Sequence, residues 1–152
     1  VLPGIELTHL PLEQFKPLAG YCRRKGIKII IAHGQTPVEP VIQGTNRMAL
    51  EADIDILAHP GLISEEDALL AKKKNIFLEV TSRHGHSQAN AHVVAVALKL
   101  GTQLVLNNDS HAPEDIISPQ ELLNVGRLAG LSQQGLDKIY QDTEELIRKK
   151  GY

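Results

Sequence analysis

Apolar residues gather into five short runs along the chain, at 1–7, 27–32, 54–58, 76–81 and 103–107. After each run, apolar positions recur every three or four residues. Short runs rich in Ile, Leu and Val predict strands buried on both faces, and the longer periodic stretches predict helices. The runs start roughly 22 to 27 residues apart, the spacing of successive βα units in a parallel sheet. Helix boundaries are also marked. Ser118-Pro119-Gln120-Glu121 has the form of a capping box, and Ser64 precedes the acids Glu65, Glu66 and Asp67. Gly26, Gly101 and Gly130 stand where helices should end. A final amphipathic stretch, 132–150, carries Leu136, Ile139, Leu146 and Ile147 at helical spacing and predicts an outer packing helix. The expected fold class is α/β, built from parallel βα repeats in one domain over 1–152.

Composition narrows the function classes. No apolar run is long enough to cross a bilayer, and no basic patch precedes an apolar signal core. A cytoplasmic protein without a membrane partner is expected. With 16 Lys and Arg against 18 Asp and Glu, bulk electrostatics makes nucleic acid an unlikely partner. Cys22 is the only cysteine, so a disulfide framework and a thiolate zinc cluster are both excluded.

In parallel α/β folds the functional site forms at the carboxyl ends of the strands. At or after the successive runs stand Glu6, His33, His59-Pro60-Gly61, Glu79 with Arg83-His84-Gly85-His86, and Asn107-Asn108-Asp109-Ser110-His111. Any one of these histidines is accounted for by ordinary hydrogen bonding. Their recurrence on one rim predicts a cluster of imidazoles and carboxylates, a donor set that suits zinc, manganese or iron. A Glu among several His suggests a multinuclear site, in which two ions about 3.5–4 Å apart activate water.

Pro3-Gly4-Ile5-Glu6, His33, Ile56-Leu57-Ala58-His59-Pro60-Gly61 and Asn108-Asp109-Ser110-His111 together resemble the PHP family of polymerase-associated and histidinol-phosphatase domains. The likeness is to its histidinol-phosphatase-like branch. It implies the C-terminal part of a distorted (β/α)7 TIM-like barrel, with a metal site that hydrolyses phosphoesters. By that resemblance Glu6 is a bridging carboxylate, His33 and His59 are single ligands, and Asp109 and His111 close the site and carry catalysis. Arg83, on the same rim, is the candidate for holding substrate phosphate. His9 and His92 match no ligand motif and read as a loop and a helix residue. The family's opening His-x-His strand is absent, so a front segment of roughly 60–75 residues is expected to be missing.

The resulting expectation is a metal-dependent phosphatase acting on a small phosphorylated substrate, incompletely active as this chain alone. Its open first strand should drive association into a homo-oligomer. The rivals are a non-catalytic metal-binding or interaction module, and a barrel hydrolase of amide or ester bonds.

Overall fold

Each of the five apolar runs contains a strand. The computed structural model describes residues 2–151; Val1, at the head of the first run, and Tyr152 lie outside the described residues. The strands are β1 (Gly4–Leu7), β2 (Ile29–His33), β3 (Ile56–Ala58), β4 (Phe77–Thr81) and β5 (Leu104–Asn107). Between and after them lie α1 (Phe15–Arg24), α2 (Thr45–Glu51), α3 (Glu65–Lys74), α4 (Asn90–Leu100), α5 (Pro119–Leu128) and α6 (Gln133–Lys149). All strand pairs are parallel and the order is β1-β2-β3-β4-β5.

The expected α/β class and parallel sheet are present, but the barrel is not closed. Among the described residues β1 and β5 each have one strand neighbour and form the edges of an open sheet. Five strands fall short of the roughly eight that close a barrel of this kind through their tilt and stagger.

Strand side chains alternate between two faces. Ile30, Ala32, Leu57, Leu78, Val80, Leu104 and Leu106 point to the helix layer and pack with Phe15, Ala19, Leu50, Ala68, Ala71, Val93 and Val94 in the main core. Burying each larger side chain contributes about 1.5–3 kcal/mol. On the other face Ile31, Ile56, Phe77 and Val105 form a smaller cluster completed by Leu146 of α6.

That contact corrects the outer position expected for the last helix. Leu136 and Ile139 extend the main core, and the second half of α6 then crosses the second sheet face near the amino ends of the strands. Asp142 lies by Gln103, ahead of β5. At the far end Lys150 pairs with Asp55, ahead of β3, and Lys28 Nζ donates to the Gly151 carbonyl at 3.5 Å. No helix among the described residues is long and apolar enough to cross a membrane.

Candidate functional site

The strand register sets the site. Glu6 is level with Ile31, His33 with Ala58, and Thr81 with Asn107. On the α6 face β1, β2, β4 and β5 each place a polar residue toward the carboxyl end (Glu6, His33, Glu79 with Thr81, and Asn107), while β3 ends on Ala58 and delivers His59 just beyond it. All six residues expected from the sequence, Glu6, His33, His59, Arg83, Asp109 and His111, line one cleft of about 280 Å³. His9, Glu39 and His86 line it with them.

His59 is the most constrained member. Its side chain is 2% exposed, and Nδ1 lies 3.0 Å from Glu79 Oε2, which also accepts the His59 backbone N–H at 2.9 Å. A carboxylate only accepts, so in the neutral ring the proton sits on Nδ1 and Nε2 is the bare nitrogen. That Nε2 is buried with no hydrogen-bond partner. His33 is arranged alike, with Nδ1 2.9 Å from the Gly34 carbonyl oxygen and Nε2 turned toward Glu39. Orienting a ring through its second nitrogen is how proteins hold metal-binding imidazoles. One ligand atom from each of Glu6, His33 and His59 falls within 4.8 Å of the others, and the same holds for His9, His33 and Glu39.

Glu39 is the hub that sequence reasoning missed. Its carboxylate lies 3.2 Å from His33 Nε2, 3.4 Å from His9 Nε2 and 3.3 Å from His86 Nε2. Ring centroids lie 4.9 Å apart for His9–His33, 4.3 Å for His33–His59 and 4.5 Å for His59–His86. His9 is a loop residue as expected, yet it belongs to the cluster. The available signal was length: residues 34–44 form a long connection on the functional rim, where such loops carry chemistry. His84 is exposed outside this group, and His92 Nε2 contacts the Ile63 carbonyl at 2.8 Å, the helix role expected of it.

Asp109 and His111 are close to each other at 3.3 Å, but the His111 side chain is 64% exposed. Arg83 faces its own chain: Nη1 donates to the Asp109 carbonyl at 3.1 Å and lies 3.3 Å from Asp115 Oδ2. Its Nη1 and Nε face Asp109 and Asp115, so a phosphate would share the guanidinium with these acids.

Burial pushes the His33 and His86 imidazoles below their ordinary range, and the His59 charge pushes the same way. His59 itself is raised: burial works against its charge, but the Glu79 hydrogen bond and the charges of Glu79, Asp109 and Glu6 outweigh it. Partial desolvation raises Glu6. Desolvation also works upward on Glu39, but His33, His86 and His9 together hold it low.

Backbone strain collects at the same place. His9, His59 and Asp109 have φ of 50°, 30° and 53°, a region that costs a non-glycine residue about 1–3 kcal/mol. The strain is held by close loops. A Cβ on Gly61, at φ 60°, would meet the Gln35 carbonyl oxygen at 2.0 Å, and one on Gly34 would meet that of Ala58 at 2.5 Å. Asn46 ties both loops, accepting the Gln35 N–H at 2.8 Å and donating to the Pro60 carbonyl at 2.8 Å.

No family model matches the chain. It is 40% identical over 151 residues to the uncharacterized protein MJ1295 of Methanocaldococcus jannaschii, covering 98% of this chain and 69% of that one. Its fold resembles that of a chain in the cryo-EM structure of archaeal ribonuclease P with mature tRNA. That match has a TM-score of 0.74 at 20% identity and covers 98% of this chain and 68% of the other. These findings overturn the PHP resemblance as an assignment. With it go the phosphatase activity, the small phosphorylated substrate and the exclusion of nucleic acid. Strand-end Glu, His and Asp-x-His are short signals that a βα scaffold carries without that chemistry. The chain belongs to the family of the M. jannaschii protein MJ1295.

Proposed function

We propose that this chain is an RNA-associated component of an RNA-processing assembly, with a divalent transition-metal centre at the strand ends that organises the rim loops. What supports the RNA reading is the likeness in fold, over nearly the whole chain, to a protein within ribonuclease P. The uninterrupted strand order, with α1–α4 on one face, favours reading the sheet as an arc of a βα barrel. What supports the metal is the buried, unpartnered Nε2 of His59. A lone buried imidazole nitrogen costs stability unless something occupies it. Glu6 and His33 would complete one ligand group, with His9 and Glu39 beside them.

The experiment is direct. The purified chain is titrated into a fluorescent, tRNA-sized structured RNA, and its metal content is read by mass spectrometry. Binding at about micromolar strength, in the usual range for electrostatic RNA contacts, and near-stoichiometric zinc, manganese or iron lost in His59→Ala are expected. Absence of RNA binding would remove the first half of the proposal. A chain that takes up none of these ions would remove the second.

A further inference from the structure

Three helices end in basic turns: α1 with Arg23, Arg24 and Lys25, α3 with Lys72, Lys73 and Lys74, and α6 with Arg148, Lys149 and Lys150. Helices returning between parallel strands end beside the strands' amino ends, on the side opposite the histidine rim. The contacts agree. Arg23 donates to the Lys28 carbonyl at 2.7 Å, just ahead of β2. A groove of about 470 Å³ at these strand ends is lined by Lys74 and Asn75 as well as Lys149 and Lys150. The ends of α3 and α6 thus flank one groove, and the end of α1 stands beside it through Arg23, which pairs with the lining acids Asp53 and Asp55.

The groove also holds acids, but each is matched. Asp53 pairs with Arg23 at 3.2 Å, Asp55 with Arg23 at 2.8 Å and with Lys150, Asp142 with Lys138 at 2.9 Å, and Glu145 with Lys149 at 2.7 Å. Among the described residues Arg24, Lys73, Lys74 and Arg148 have neither a hydrogen bond nor a salt bridge, and all four are exposed. The nearby acids left similarly unmatched are Glu51 and Glu144. Basic residues at helix ends also satisfy helix dipoles, yet that role does not require them to converge. The opposite pole is acidic: Glu6, Glu39, Glu79, Asp109 and Asp115 stand on the rim, where Arg83 is already paired.

We infer that RNA docks through its phosphate backbone on the basic face at the amino ends of the strands, away from the histidine cleft. The ends of α1 and α3 are separated by α2, which at 8–10 Å per helix spacing places them roughly 16–20 Å apart. That span lets two separate stretches of backbone be engaged at once. This inference rests on the RNA reading above and adds the surface.

The test compares charge reversals by RNA-binding anisotropy across a salt series. The triple variant Arg24→Glu/Lys73→Glu/Arg148→Glu should weaken binding at least tenfold. It should also flatten the log–log salt slope by roughly one unit for each phosphate no longer neutralised. Arg24→Glu alone should weaken binding, while Lys16→Glu, an equal charge change at the opposite end of α1, should not. Circular dichroism and melting establish that the variants fold, which their exposure favours. Wild-type binding that survives the triple reversal would overturn this surface and leave the RNA reading standing. A wild-type chain without RNA affinity would overturn both. Equal losses in Lys16→Glu and Arg24→Glu would show only net charge at work and remove the surface.

Discussion

Glu79 holds His59 twice, accepting its backbone N–H at 2.9 Å and its ring Nδ1–H at 3.0 Å. Asn107 Nδ2 donates to the other carboxylate oxygen at 3.1 Å. One buried acid on β4 thereby fixes both the strained backbone and the tautomer of a residue after β3.

This pair sets a pH dependence. His59 keeps its proton more tightly than an ordinary imidazole, so protons compete with a metal to a higher pH than usual. Zinc affinity should keep rising as pH passes about 6.5. Glu79→Gln keeps the shape but removes the charge, so the rise should move to lower pH. Affinity at its maximum should fall about 10–100-fold, as it does when a ligand-orienting carboxylate is lost. Calorimetric zinc titrations across the pH range check both; an unmoved curve would refute the coupling.

Glu39 raises His33 and His86 against the burial that lowers them. In Glu39→Gln both imidazoles should titrate at still lower pH, seen in histidine ring NMR shifts. Unchanged midpoints would mean that the three contacts to Glu39 are not held in solution.

Two glycines separate strain from steric conflict. Gly26 has φ 84° with nothing within 4 Å of a Cβ, so Gly26→Ala should cost only the left-handed penalty, about 1–2 kcal/mol. Gly61→Ala adds a collision with the Gln35 carbonyl and should cost distinctly more, while reducing metal uptake. Urea unfolding of the two variants, side by side, decides it; equal costs would refute the loop packing.

Asp55 is 5% exposed, accepts the Ile30 N–H at 2.7 Å and pairs with both Arg23 and Lys150. Asp55→Ala leaves the buried Ile30 N–H without its acceptor while Arg23 keeps Asp53 and two carbonyls, a loss of about 1–3 kcal/mol. Hydrogen exchange should show faster opening of 143–149 in α6 than in α4. Uniform protection of both helices would show that Asp55 does not anchor α6.

The histidine cluster was only partly legible along the chain. His33 and His59 stood out because each directly follows an apolar run, and register sets His33 level with Ala58, so that the two rings lie side by side. Glu39 did not, because it acts from an irregular loop whose path follows no periodicity. Arg83 was read as available for a phosphate since the sequence shows its charge and conceals its partners. Asp115, a charge that swings onto Arg83 only in the folded loop, is what engages it.

By itself the sequence determined the local elements, because their causes are local. Alternation and β-branched content produced five strands; Ser64 and Ser118 cap α3 and α5 by accepting the Asp67 and Glu121 N–H groups at 3.1 and 3.3 Å. Only the tertiary structure decided what those elements face. The apolar stripe of α6 reads equally well as an outer layer or as a cover for the second sheet face. The choice fell to contacts more than forty residues apart in sequence: Leu146 on Ile56, Phe77 and Val105, and Lys150 on Asp55. The same long-range packing closed the 33–36 and 59–61 loops on each other and buried the bare nitrogen of His59, because burial is a property of the assembled surface and no residue carries it alone.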